Sequence, residues 1–386
     1  MTSRERVMKA IRFEEADRVP VDLGGTTGAS GIHVLAYDAL RRHLGLPHGT
    51  VRSNDVMQQL AVMEEEILQR LHVDVLQITS CSFSPEWHGV PLFPSCTVEF
   101  PMRLPMVREA DQWTLTDAAG NRYRKPDTSY YFDSVDGQHW FGTERPLATD
   151  EALGALERNV KRCYEETDYA LAGRFGGSFF SSHPDFLMAM ATEPEEIHEV
   201  IGRRCDELIQ KIAGINQAIG KYLFCITFAD DFGAQDVPFI SPDMFREMIV
   251  PHYKRFTDWL HANTNLKLFL HSCGAIYPLM DDIVDMGVDI LNPVQTSAGG
   301  MDPARLKKNY GRKIVFWGGG CDTQNVLGKK PTAEVVEHVR ERLKILAPGG
   351  GFVFNQIHAI QPTVSPEDIC AVFDTAHEFG RYPNPG

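Results

Sequence analysis

One pattern constrains this chain more than any other. A buried-type strand, a polar loop and a helix recur along it at roughly 30–50-residue spacing. The pattern is clearest in the C-terminal half. Tyr222–Phe228 reads as a strand and leads into a loop carrying Asp230 and Asp231. Ser241-Pro242 starts a helix, with Ser as N-cap and Pro at the first helical position. Leu266–Leu270 is a strand ending in His271-Ser272-Cys273-Gly274, and Ile276–Met286 a helix. Val288–Leu291 ends in Asn292-Pro293, and Lys313–Trp317 ends in Gly318-Gly319-Gly320-Cys321-Asp322. Thr332–Leu346 is a helix with a Thr cap, Gly351–Phe354 ends in Asn355-Gln356-Ile357-His358, and Ser365-Pro366 caps the last helix. Such alternation predicts a parallel sheet covered by helices. The repeat count is near eight, and no Gly-rich dinucleotide fingerprint follows the first strand. An α/β fold of the (β/α)8 TIM-barrel type is therefore expected over an open sheet.

The N-terminal half is less regular. Arg4–Arg12 has helical spacing, and Arg18–Leu23 reads as a short strand closed by Gly24-Gly25. Residues 34–45 and 55–71 are expected as helices, the second from Val56, Leu60, Met63, Ile67 and Leu71 at helical intervals. Val73–Thr79 is a buried-type strand. Residues 82–147 are rich in Pro and aromatics, alternate weakly, and carry a turn signal at Ala118-Ala119-Gly120-Asn121. They read as a β-rich insertion into one 1–386 barrel domain, serving as a lid or a docking surface. Helical patterns return at 150–166 and 193–219.

Charge and cysteine usage narrow the function classes. With 52 Asp+Glu against 38 Lys+Arg the formal net charge is -14. Nucleic-acid binding needs a basic patch that no Lys/Arg run here supplies. No apolar run reaches the ~18 residues of a membrane span, and the charged N-terminus is not a secretory signal, so a cytoplasmic protein is expected. The eight cysteines show no disulfide spacing and read as thiols.

The polar residues gather where strands end, the rim on which barrels assemble chemistry. His271 and Cys273, two apart, can point the same way, and imidazole and thiolate are zinc donors. His358 and Cys321 are the available third donors. The alternative is a rim histidine bonded to backbone beside a buried thiol. Asp230 and Asp231 could orient substrate, act as general base or complete a metal shell; the alternative is an exposed pair capping a helix. The Gly318–Gly320 turn would let backbone approach a ligand near Cys321 and Gln356. Phe179, Phe180, Phe232 and His183 are candidates for the pocket wall, although aromatics at such spacing are more often core.

These segments together resemble the uroporphyrinogen decarboxylase superfamily over nearly the full length. The resemblance rests on Arg4–Ile11, Asp17–Val21, Phe228–Phe232, Ser241–Phe245, Pro251-His252-Tyr253, His271–Gly274, Gly318–Asp322 and Ala347–Gly351 through Gln361-Pro362. It implies a (β/α)8 barrel with a deep cleft at the strand C-termini. The decarboxylase branch carries an Arg-x-x-x-Arg signature after the first strand and an Asp after the second. Here Leu23–Ser30 has no arginine and Ile78–Phe83 no aspartate. The missing counter-charges and the acidic chain argue against a polycarboxylate porphyrinogen, although His358 falls where that branch has its active-site His.

The zinc-dependent, corrinoid-linked methyltransferase branch is more similar. Its His-x-Cys-Gly matches His271 and Cys273, and its third ligand, a Cys, falls on His358. Imidazole remains a good donor, and one thiolate fewer leaves the metal more Lewis acidic, suited to an oxygen leaving group. The resemblance thus implies zinc on His271, Cys273 and His358, with Asp231 and Asp230 orienting substrate. It implies a small methyl donor or acceptor, such as a methoxylated aromatic, and a corrinoid protein as partner. A homodimer is expected from the resemblance and the apolar helix faces. Two other classes stand beside this one: a metal-free decarboxylase or lyase using His358 and Asp231, and a non-catalytic binding member of the fold.

Overall fold

A computed structural model describes residues 1–26, 28–117, 120–135 and 150–383. Seven parallel strands pair in the order Val75–Ile78, Ala170–Gly173, Leu223–Ala229, Lys267–His271, Ile290–Asn292, Val315–Trp317 and Phe352–Val353. Residues 19–23 take the eighth place. Val21 bridges Phe354 in parallel, the Asp22 N–H donates to Phe354 O, and the Asp74 N–H donates to Val21 O. This segment reaches both edge strands and so closes the barrel. Pro20 lacks an N–H, which accounts for isolated bridges where a regular ladder would otherwise run.

Alternate residues of these strands point inward and fill the interior. Val75, Ala170, Ala172, Phe269, Ile290, Val315, Trp317 and Val353 form one buried cluster. Trp317 stacks on Phe224 at 5.7 Å and meets Phe269 edge-on at 5.3 Å. Helix Ser3–Ile11 lends Val7, Ala10 and Ile11 to the same cluster. It lies at the end where the strands begin, since the Arg4 N–H donates to Asp168 O and the Gly351 N–H to Ala10 O. The opposite end stays open for a site. The covering helices pack on the outer face through a second cluster that includes Ile197, Ile201, Leu208, Phe256 and Val339.

Asp22 is a fully buried carboxylate in this frame. It accepts from Trp317 Nε1 at 2.8 Å, Gly25 N at 2.7 Å and Thr26 Oγ1 at 2.7 Å. Burial, the largest effect, pushes its pKa up to about 6 despite these donors. The native state therefore binds this proton more tightly than the unfolded chain. The stabilisation is complete below the ordinary aspartate pKa and is lost as pH rises through about 6. That is worth about 2 kcal/mol between pH ~4 and ~6.5. Asp22→Asn should flatten the pH dependence of the urea midpoint in this window. Equal slopes in the two proteins would contradict the assignment.

The insertion of the N-terminal half is β-rich. Thr50–Arg52, Cys96–Phe100 and His88–Phe93 form one small sheet, and Met106–Glu109, Gln112–Thr116, Arg122–Pro126 and Asp133–Ser134 an antiparallel one. The second sheet leads to the barrel mouth, where the Tyr131 hydroxyl donates to Gln361 and the Phe132 N–H to Met57 O. Ala118 and Ala119 of the expected turn lie outside the described residues, as do residues 136–147 of the insertion.

Several expectations need correction. The helix at 55–71 is confined to Glu65–Arg70. Asp55 Oδ1 accepts from Met57 N and Gln58 N, Gln59 has φ 47°, and Leu60 and Ala61 bridge His33 and Ser53. A side-chain turn followed by strand-like pairing outcompetes the helical period there. Ile276–Met286 splits into a 3-10 turn, Tyr277–Leu279, and helix Met280–Asp285. Thr332 does not cap its helix: Pro331 is the N-cap, and the Thr332 hydroxyl donates to Asp368 at 2.7 Å. Strand Ala170–Gly173 and helix Pro184–Thr192 were not anticipated.

Candidate functional site

A cleft of about 1300 Å³ opens at the C-terminal ends of the strands. Asp231, His271, Cys273 and His358 line it. Each follows from its strand. Leu223–Ala229 runs straight into Asp231, Lys267–His271 ends on the histidine, and His358 lies beyond Phe352–Val353. Gly274, at φ 87°, turns the chain immediately after Cys273. A Cβ there would come within 2.1 Å of Gly233 O, so only glycine lets the loop after Asp231 lie against the loop after His271.

The donor atoms converge. Cys273 Sγ lies 3.1 Å from His271 Nε2 and 2.9 Å from His358 Nε2. Asp231 Oδ1 lies 3.6 Å from His271 Nε2 and accepts from the Cys273 N–H at 2.9 Å. The mutually close set, every donor within 4.8 Å of every other, is Asp231, His271 and Cys273; His358 joins it through the sulfur. Ligands held tetrahedrally at zinc bond lengths sit about 3.5 Å from one another. The Asp231–His271–Cys273 separations are close to that, so these three residues fit a zinc-sized ion, and His358 stands next to the sulfur as a further donor.

The surroundings fix the donors. His271 Nδ1 is 2.8 Å from Asn292 Oδ1, and Asn292 Nδ2 donates to Trp317 O at 2.9 Å. The amide is thereby oriented with its oxygen toward the ring. His271 then carries its proton on Nδ1 and turns the Nε2 lone pair into the cleft. Burial, then the neighbouring His271, pushes the His358 pKa down to about 4, leaving a neutral imidazole whose Nε2 faces the Cys273 sulfur. Burial, then the Asp231 carboxylate, drives the Cys273 thiol far above its ordinary value. A bound cation reverses that, because it favours the thiolate.

Other expected site residues sit elsewhere. Asp230 is 1% exposed and faces inward. It accepts from Ser178 and Tyr253 hydroxyls, from Phe179 N at 2.8 Å and from Phe180 N at 3.2 Å. No capacity remains to reach a substrate, so it is a positioning residue for the loop bearing Asp231. Phe179, Phe180 and Phe232 are buried at 0%, 3% and 0% exposure and pack edge-on with Tyr253, Phe186 and Phe245 behind the cleft wall. Cys321 is buried and pairs with Gln356 in a parallel bridge. Gln356 Nε2 donates to Ser30 O and Gly31 O, both at 3.1 Å. These two tie the 28–31 loop to the barrel and do not line the cleft. His183 caps helix Pro184–Thr192 by accepting from the Asp185 N–H.

The wall mixes polar side chains with Phe228, Ala29, Ala229 and Ala359. Gln58, Gln235, Gln324 and Asn325 line it with Arg174 and Lys329. Gln235 Nε2 donates to Ser297 O at 2.7 Å, and the Ser297 hydroxyl to Gln324 Oε1 at 2.6 Å. Only their position in loops past strand ends could have marked these amides in the sequence.

The fold and cleft define a (β/α) barrel with a metal-donor cluster at its open end. The uroporphyrinogen decarboxylase (URO-D) family model matches residues 175–379, more than half of the chain. The protein belongs to that family. Among curated relatives, the Schizosaccharomyces pombe uroporphyrinogen decarboxylase is 25% identical over 150 residues, 36% of this chain and 39% of that protein. The Magnetococcus marinus uroporphyrinogen decarboxylase is 24% identical over 193 residues, 48% of this chain and 49% of that one. The chain thus matches less than half the length of these relatives. Among solved structures, a methyltransferase from Methanosarcina mazei aligns at TM-score 0.59 and 17% identity, covering 98% of this chain and 99% of that one. This likeness shows the fold. No helix among the described residues is long and apolar enough to cross a membrane.

Proposed function

We propose that this protein is a zinc-dependent methyltransferase that moves a methyl group between a small compound and a corrinoid carried by a partner protein. The observation that carries the reading is the meeting of His271, Cys273 and His358 donors in the cleft, with Asp231 beside them. Zinc there would act as a Lewis acid on the heteroatom bearing the methyl group. The chain's own residues do the rest. Asn292 holds the His271 tautomer, and His358 presents a neutral imidazole. Asp231 holds the Cys273 backbone and keeps a half-exposed carboxylate toward the cleft. The cleft mouth would receive the corrinoid protein, with the 82–147 insertion belonging to the same single domain. The full-length likeness to a methyltransferase barrel supports this branch, as does the lack of arginine across Leu23–Ser30.

The curated relatives, both uroporphyrinogen decarboxylases, favour a second reading: metal-free decarboxylation, of uroporphyrinogen itself or of a non-porphyrin carboxylate. One experiment separates the two. The purified protein is assayed for zinc, then for methylcobalamin formed from added cob(I)alamin and small methylated donors. About one zinc per chain with methyl transfer is expected. Metal-free protein that releases CO₂ from a carboxylate would replace this reading with the second.

A further inference from the structure

The cleft is lined by two cationic groups that the metal-donor cluster does not use, Arg174 and Lys329. Arg174 directly follows strand Ala170–Gly173 and lines the cavity. Its side chain is 35% exposed, and its one ion-pair partner among the described residues is Asp55, at 3.9 Å. That is too long for a hydrogen bond. Asp55 is meanwhile committed to its own loop, accepting from Met57 N and Gln58 N. The Arg174 guanidinium thus enters the cavity steadied by a carboxylate but with its donor fork open. A planar fork of N–H donors in a partly dry cleft matches a carboxylate in shape and charge.

Position adds to this. In the sheet, the Arg174 strand is two places from the strand that ends on His271, with the Asp231 strand between them. Strands two apart are about 10 Å apart. A molecule reaching from the guanidinium to the donor cluster is therefore small, of about the length of a substituted benzene ring. The amides of Gln58, Gln235 and Gln324 and the ring of Phe228 line the same cleft, whereas Phe179, Phe180 and Phe232 do not. Lys329 stands on the wall beyond the His271 strand and adds a second positive charge to the cleft of an acidic chain.

We infer that Arg174 is an anion-recognition residue, and that the cleft takes a small carboxylate-bearing compound with its carboxylate on Arg174 and its other end at the His271–Cys273–His358 cluster. The second half rests on the proposed methyltransferase reading; the first does not.

The test uses a matched pair of probes, 4-methoxybenzoate and 4-methoxybenzamide, which differ in charge far more than in shape. Binding of each is measured by titration calorimetry to the wild type, Arg174→Gln and Arg174→Lys, before and after zinc removal by chelation. Wild type should prefer the carboxylate by about tenfold or more, the size expected for a charge-assisted pair. The preference should survive chelation, vanish in Arg174→Gln and largely return in Arg174→Lys. A preference unchanged in Arg174→Gln, or lost on chelation alone, would place the carboxylate elsewhere and overturn the inference. Equal affinity for the two probes, or binding of neither at millimolar concentration, overturns it too. Circular dichroism confirms that the variants are folded. Retained carboxylate preference in a protein without zinc or methyl transfer would leave Arg174 standing and reject the methyltransferase reading.

Discussion

Replacing Cys273 with alanine is expected to remove bound zinc and methyl transfer together. The sulfur is the shared neighbour of the cluster, within 3.1 Å of His271 Nε2 and 2.9 Å of His358 Nε2. Without it two imidazoles and one carboxylate remain, and the atom that bridges the two rings is gone. Partners that merely orient metal ligands are worth about 10–100-fold in affinity, so loss of a direct thiolate should cost more than about 100-fold. Asn292→Leu tests the lower tier. It frees His271 Nδ1, now 2.8 Å from the amide oxygen, and should weaken zinc by about 10–100-fold with the ligands intact. Both effects are read by competition with a chromophoric chelator, with circular dichroism as the control for folding. Full zinc content in folded Cys273→Ala would exclude Cys273 as a ligand and remove the main support for the methyltransferase.

The barrel was legible because its signals are local. Buried strands such as Leu268–Leu270 are short apolar runs, and Ser241-Pro242 and Ser365-Pro366 mark helix starts in a few residues. Ala170–Gly173 escaped because small residues facing a filled interior carry no apolar period. The 55–71 segment misled for the opposite reason. Its period is good, but Asp55 offers its backbone a competing turn that periodicity does not register.

The site divides along a similar line. His271 and Cys273 could be paired from their spacing, since two residues past a strand end share a direction. The His358 sulfur contact and the Asn292 orienting bond span 85 and 21 residues, and follow only from strand order. The aromatics show the limit most clearly. Phe179, Phe180 and Phe232 follow strand ends as the true cleft residues do, yet their rings turn back into the core. Side-chain direction after a strand depends on what the next loop buries, here Asp230.

Asp230 gives the largest expected stability effect. Ser178, Tyr253 and the Phe179 and Phe180 amides all donate to its carboxylate, in a region where Tyr253 and Phe179 are fully buried. Asp230→Ala would strand several donors at once, at about 1–3 kcal/mol for each one left unsatisfied. The Tyr253 and Ser178 hydroxyls can rotate toward other acceptors, but the two backbone amides cannot. A destabilisation of about 4 kcal/mol follows. Asp230→Asn should fall between, because one carboxamide oxygen still accepts while the new NH₂ faces groups that mostly donate. Urea unfolding checks the order wild type, Asn, Ala. The same measurement separates a positioning residue from a reacting one. If Asp230 acts only through the loop it holds, zinc content per folded molecule of the Asn variant stays near that of wild type, and any activity loss follows the unfolded fraction. An Asn variant as stable as wild type with its activity abolished would instead make Asp230 a group that meets the substrate, against a burial that leaves it 1% exposed.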